Sequence, residues 1–456
     1  MAFNSPSARG TLVAAALGFV VVLLDISVVN VALEAMRDEL ATDVAGLQWV
    51  VNAYTLVFAA LLLTSGALGD RFGARRLFLL GLAVFTLASV GCGLAGSLPA
   101  LVAARLAQGL GAALLVPNSL AMLQQAYPEQ ARRNRAVGWW GAFGGMALAA
   151  GPVLGGLLVS QVGWRSIFLI NLPIGVIGFY LTLRHVAPRA GSHRRSLDWG
   201  GQAAAIVGLA AMTMALIQAG PLGWGHWLVR AGLLLALLAA LAFVWIESRG
   251  ASPMLPLALF RIPTFAVASA TGVVVNFAYY GLIFVFSLFF QMQQHLSAQL
   301  TGLAFLPMTV VLMGVNVLAG RLVTRIGPRL LMVLGLALAA LGYLLLMPVS
   351  IDGDYRWLVV PMLLAASGIA LVVPTMTNAT LSSVDASRAG IASGVLNCAR
   401  QVGGMLGVAL FGYFVGDASP AAFMRGMHVS MGISVGLLLC ASAVCWFGIP
   451  SRRAAP

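Results

Sequence analysis

Apolar residues in this chain are gathered into runs long enough to cross a lipid bilayer, and these runs take up most of its 456 residues. Bounded by glycine, proline or charge, they fall at about 11–33, 47–68, 77–97, 99–123, 137–160, 167–184, 199–219, 229–247, 263–290, 299–320, 330–349, 357–379, 390–415 and 427–448. A spanning helix needs about 20 such residues, so an all-α polytopic membrane protein with fourteen helices is expected, and no connector is long enough for a soluble domain. With 61% of residues hydrophobic and 9% charged, a water-soluble fold would lack the polar surface to cover its core. The first run exceeds the roughly 7 to 15 apolar residues of a signal peptide and carries Asp25 near its middle. It is therefore read as a span.

The charges give the topology. All 26 basic residues are arginine and the net charge is +13; without lysine, a phosphate-binding GxxxxGK[ST] loop and Schiff-base chemistry are both excluded. Basic residues accumulate in cytoplasmic loops. With the N-terminus inside, nineteen arginines fall on inner segments, and Arg37, Arg165, Arg230, Arg356 and Arg425 fall outside. Arg105 and Arg400 are left within the hydrocarbon. Omitting one span would invert every later loop and destroy this asymmetry, so both termini are expected in the cytoplasm. The same segregation reads the positive charge as a signal against the anionic inner leaflet and not as a nucleic-acid surface, which would gather its arginines on one face or tail.

A shift of 254 residues places Gly66, Leu68, Arg71, Gly73 and Arg75 on Gly320, Leu322, Arg325, Gly327 and Arg329, and Gly81 on Gly335. Two six-helix halves, 1–184 and 263–456, are therefore expected, joined through 185–262 with its extra helix pair. Internal repeats in a polytopic chain point to two bundles rocking about a midplane site.

Asp25 is the only acid near the centre of any span. Burying a carboxylate there costs roughly 2.5–3.5 kcal/mol on insertion scales, so it must be protonated, paired with a cation, or both by turns; the last describes a proton carrier. Arg105 is the nearest candidate partner, and a permanent structural ion pair is the alternative. Arg400 has no acid on its own helix, which leaves a carbonyl, water, substrate or another helix to meet its charge. Asn30, Gln108, Asn276, Asn316, Asn397 and Arg400 are the substrate-cavity candidates, and Asn378 and Gln401 add further donors and acceptors; each amide taken alone reads first as an interhelical hydrogen bond. In the turn from Gly66 to Arg76, Gly73 allows a tight reversal and Asp70, Arg71 and Arg75 could form a conformational latch or merely set topology. Gly151, Pro152, Gly155 and Gly156 strip side chains from one face of the fifth helix, for close packing or for a hinge.

Chemistry other than transport finds little to work with. The four cysteines lie in apolar runs without a CxxC pair, and His185, His193, His226, His295 and His428 are scattered. No metal cluster, nucleophile with its base, or acid/base pair emerges, so neither an enzyme nor a metal site is expected.

Several segments resemble the fourteen-span drug:proton antiporters of the major facilitator superfamily. LDISVVNVAL from Leu24 is similar to the family's first-helix motif, with Asp25 and Asn30 in its acid and amide positions and Glu34 where proline is usual. QWVVNAYTL from Gln48, the turn from Gly66 to Arg76, RLAQGLGAA from Arg105, AAGPVLGG from Ala149, WRSIFLINLPIG from Trp164 and GIASGVLNCARQVGG from Gly390 follow in the family's order. The resemblance implies the major facilitator fold and proton coupling through Asp25 and Arg105. It further implies efflux of amphiphilic drug-like solutes across a bacterial inner membrane, driven by the proton motive force with no cofactor. Protons, membrane lipid and a small-molecule substrate are the implied partners. A dedicated exporter of one metabolite or self-made antibiotic is the alternative, and an outer-membrane partner is left open. Helices nine to fourteen carry no acid, which argues against dicationic cargo.

Overall fold

A computed structural model describes residues 6–188, 198–250, 253–351, 353–385, 388–416 and 419–450. His193 and five of the nineteen inner arginines, Arg189, Arg194, Arg195, Arg452 and Arg453, lie outside these residues. Among the described residues fourteen helices are long and apolar enough to span a membrane: α1 (Ala8–Glu39), α2 (Val44–Phe72), α3 (Ala74–Gly93), α4 (Leu98–Ala126), α5 (Gln130–Val162), α6 (Ser166–His185), α7 (Trp199–Leu222), α8 (Trp227–Arg249), α9 (Pro263–Gln293), α10 (Ala298–Ile326), α11 (Pro328–Leu346), α12 (Tyr355–Ser382), α13 (Ala389–Val415) and α14 (Pro420–Gly448). An even number of crossings puts the start of α1 and the end of α14 on one face, called terminal here, opposite a distal face.

The sequence repeat is visible as repeated physical devices. Gly73 and Gly327 end α2 and α10 with φ of 94° and 81°, a backbone region that side-chain-bearing residues rarely enter. Two residues on, Arg75 donates to the Leu183 carbonyl of α6 at 2.9 Å, and its equivalent Arg329 lies over the Trp446 ring of α14 at 4.2 Å. Each arginine thus ties a turn to the last helix of its own half. Asp43 and Ser297, again 254 apart, cap the start of α2 and α10 by accepting from Gly46 and Leu300. A Cβ on Gly81 would lie 3.0 Å from the Gly111 carbonyl, and one on Gly335 2.9 Å from that of Gly368. The α3–α4 and α11–α12 pairs therefore pack backbone to backbone.

The halves meet along two seams, α2 on α13 and α5 on α10. On the distal side both are tight: Gln48 Nε2 donates to the carbonyls of Val408 and Ala409 at 3.0 and 2.6 Å, and a Cβ on Gly302 would sit 2.2 Å from the Pro152 carbonyl. A Cβ on Gly156 would lie 2.4 Å from that of Ala298. Behind this closure, Phe286, Phe289, Phe290, Phe305 and Tyr355 form a packed aromatic plug. On the terminal side the α5–α10 seam is parted: a Cβ on Gly138, Gly141, Gly145, Gly314 or Gly320 would meet nothing within 4 Å. The interior is closed distally and opens toward the terminal face.

The extra pair lies over the other seam. Near the terminal face of α7, Gln202 donates to the Ala60 carbonyl at 2.9 Å and bonds the Thr64 hydroxyl of α2. Farther along α7, the Thr213 hydroxyl lies 2.9 Å from Met405 Sδ, and just past its distal end Trp224 donates to the Tyr413 hydroxyl of α13 at 2.8 Å. The helix crosses from one half to the other as it crosses the membrane. α8 packs on α7 and leaves Leu234, Leu237, Leu238 and Leu241 exposed, as a lipid-facing helix should. Its terminal end hides Glu247, 3% exposed, which accepts from the Leu255 amide at 3.0 Å.

If the Gly302–Pro152 contact holds the distal closure, Gly302→Val should open it, because the added side chain meets backbone. The expected outcome is faster labelling of Asn397→Cys by a membrane-impermeant maleimide applied from the distal face, in a background with the four native cysteines replaced. Unchanged labelling would locate the closure elsewhere.

Candidate functional site

Within the N-terminal half, five helices converge on one carboxylate. Asp25 is fully buried and Arg105 is 2% exposed. Arg105 Nη1 donates to Asp25 Oδ2 at 2.5 Å and to Gln108 Oε1 at 2.7 Å, and its Nε donates to the Val50 carbonyl of α2 at 3.0 Å. Asp25 Oδ1 accepts from Gln108 Nε2 at 2.7 Å and from Asn171 Nδ2 of α6 at 3.2 Å. The Ser89 hydroxyl of α3 accepts from both amides, at 2.8 and 3.3 Å, and donates to the Phe85 carbonyl. The guanidinium carbon lies 4.5 Å from the Tyr54 ring centroid and 5.7 Å from that of Phe168, close enough for the ring faces to stabilise the cation.

Every neighbour of Asp25 in this shell points a donor at it. An ionised carboxylate, which only accepts, suits that arrangement; a protonated one would bring an O–H that needs an acceptor. Protonation therefore removes the charge that holds Arg105 and introduces a donor among donors. The ionised and protonated carboxyl would thus demand different packing around Asp25, the kind of difference on which a conformational equilibrium can turn.

The glycines of α5 connect this site to the seam. A Cβ on Gly151 would lie 1.7 Å from Ser27 Oγ, and one on Gly155 would lie 3.0 Å from the Val28 carbonyl, so that face of α5 packs on α1 just beyond Asp25. The Pro152 carbonyl and Gly156 face α10 of the other half. A 3₁₀ turn over Val29–Ala32 breaks α1 at the same level. The small residues thus let α5 approach α1 and α10 at once.

The sequence candidates divide into two groups and some singletons. Asp25, Arg105 and Gln108 are together. In the C-terminal half, Arg400 Nη1 donates to Asn397 Oδ1 at 3.4 Å, and Asn276, on α9, bonds its own helix at the Gly272 carbonyl. Asn30 also bonds its own helix, at the Ile26 carbonyl; Asn316 on α10 and Gln401 on α13 are half-buried, and Asn378 on α12 is exposed. In the turn, Gly66 is loosely packed, Asp70 and Arg71 are exposed, and no ion pair among the described residues involves Asp70. With the terminal face parted, the turn is anchored only in its own half. Sequence reasoning missed Ser89, Asn171 and Tyr54, although Asn171 lies in the quoted WRSIFLINLPIG segment. It also missed Asn52 of α2, fully buried with neither amide atom hydrogen-bonded.

Two repeated six-helix bundles closed at one face, with a buried ion pair beside their interface, define a secondary membrane transporter. The profile of the Major Facilitator Superfamily matches residues 15–408, and the chain belongs to that superfamily, in a fourteen-span form. It is 39% identical over 402 residues to the multidrug resistance protein Stp of Mycobacterium tuberculosis, covering 88% of this chain and 75% of that one. To the methylenomycin A resistance protein of Streptomyces coelicolor it is 37% identical over 445 residues, covering 97% and 93%. Among solved structures, a bacterial homologue of the human lysosomal transporter Spinster shares the fold, with a TM-score of 0.70 at 17% identity over 98% of this chain and 97% of that one.

Removing one partner of a buried ion pair strands the other, at a cost of about 3–5 kcal/mol, whereas an apolar replacement of both is often neutral. Arg105 in Asp25→Ala should therefore lower the melting temperature of the detergent-solubilised protein, and Asp25→Ala combined with Arg105→Leu should recover most of it. A double variant as unstable as the sum of the singles would show that the pair is not the coupled unit.

Proposed function

We propose that this chain exports amphiphilic drug-like solutes from the cytoplasm across a bacterial inner membrane in exchange for protons, with both termini cytoplasmic and the proton motive force in place of any cofactor. The observation that carries the reading is the shell of Asp25, an acceptor-only carboxylate held by Arg105, Gln108 and Asn171. In the conformation open to the distal side, a proton arriving at Asp25 breaks its pair with Arg105. The strain of a displaced guanidinium is then carried through Ser27 and Gly151 to α5 and the α5–α10 seam. Closing that seam distally and parting it terminally restores the pair with Arg105 as the proton leaves inward.

A proton entering down 100 mV releases about 2.3 kcal/mol, and each tenfold gradient of a neutral solute costs about 1.4 kcal/mol. One proton therefore suffices for a useful gradient. Dedicated export of a single antibiotic is the second reading, favoured by the relative named for methylenomycin A resistance; protection of a sensitive host against several unrelated compounds would speak against it.

In proteoliposomes with an imposed pH gradient, Asp25→Asn should fold and bind solute but lose pH-driven transport, with a rate at least about tenfold lower, the effect of losing an essential proton carrier. Full pH-coupled transport by this variant would refute the assignment.

A further inference from the structure

The three intramembrane charges do not balance. Asp25 and Arg105 neutralise each other at 2.5 Å, and Arg400 is left over. α9 to α14 contain no acidic residue. Arg400 has five N–H donors to satisfy, yet its one hydrogen bond among the described residues is the 3.4 Å contact to Asn397, and its Nε is buried with no partner. A charged arginine at membrane depth is costly unless a partner or an accessible cavity meets it, and among the described residues no acid pairs with Arg400.

Position excludes a lipid-facing role. Arg400 lies near the midpoint of α13, and α13 is flanked by α2, α7, α9, α12 and α14. The Cys398 thiol lies 3.5 Å from the Ala59 carbonyl, which sets this part of α13 level with the middle of α2. The stem of Arg400 rests against α9 where Gly272 makes room, since a Cβ there would lie 3.3 Å from Arg400 Cγ. One turn further along α13, Gly404 faces the Tyr280 ring, 2.7 Å from the position of a Cβ. Arg400, Asn397 and Tyr280 are each half-buried. Inside a ring of helices, that accessible surface is cavity surface.

We propose that Arg400 receives an anionic headgroup, and that the cargo is a monoanionic amphiphile, a carboxylate on an aromatic or otherwise apolar body with Tyr280 beside it. The inference rests on the export reading and adds its substrate class. A carboxylate supplies the two-pronged acceptor that a guanidinium matches, while a monocation in the same place would face an unopposed positive charge. Exchange of one proton for one monoanion moves two charges down the membrane potential, against one for a neutral solute and none for a monocation.

The test uses one body with three charges: N-dansylglycine, its neutral primary amide, and the monocationic N-dansylethylenediamine. Binding to the full-length protein in nanodiscs is read by tryptophan-to-dansyl energy transfer. The acid should bind roughly tenfold or more tighter than the amide, the range of a hydrogen bond to a charged group. Arg400→Gln should erase that difference and Arg400→Lys should keep most of it. In proteoliposomes, a valinomycin-set potential should accelerate export of the acid more than that of the amide. Equal affinity for acid and amide, or an acid preference that survives Arg400→Gln, overturns the proposal. Should Arg400→Gln not fold, the wild-type comparison and Arg400→Lys decide it. Asp25→Asn separates this claim from the export reading: it should keep the acid preference in binding while losing pH-driven transport.

Discussion

A carboxylate and a guanidinium held 2.5 Å apart inside an apolar bundle set the terms for the N-terminal half. Neither group is stable there alone, and the pair is tolerated only because other hydrogen bonds complete both shells. That requirement explains why a stretch so poor in polar residues spends Gln108, Ser89 and Asn171 in one place. It also explains why α1, α2, α3, α4 and α6 must meet at that level, each contributing a side chain or a carbonyl to the same cluster.

The pair sits wholly within one half, on α1 and α4, and reaches the other only through packed helices. α5 provides the route, because its small residues place it in backbone contact with α1 on one side and α10 on the other. Side chains at Gly151 or Gly156 would hold these helices apart. The distal seal, with Gln48 bonded to α13 and Gly302 against Pro152, depends on the same close approach.

Much of this was legible in the chain itself. The fourteen spans followed from run length and arginine placement, and the glycines of both turns from the 254-residue repeat. An acid in an apolar run demands a partner, and Gln108, one turn from Arg105, shares its helix face. Ser89 and Asn171 were not legible, because nothing in sequence spacing says that α3 and α6 converge on α1. Glu247 was hidden by its position at the end of an apolar run, where an acid reads as a boundary; its burial depends on Leu255 folding back over it. Asp70 shows the opposite limit: a motif can be recognised while the conformation leaves its charge idle in water.

The α7 helix makes the two seams unlike. It binds α2 near its terminal end and α13 at its distal end, so the α2–α13 side is sheathed by protein. Among the described residues no helix covers the α5–α10 side in this way, and its parted stretch leaves Trp139, Phe143, Val317 and Leu318 exposed. The molecule thus has a front and a back: one flank is walled off by an extra helix, and the other is a slot edged with apolar side chains.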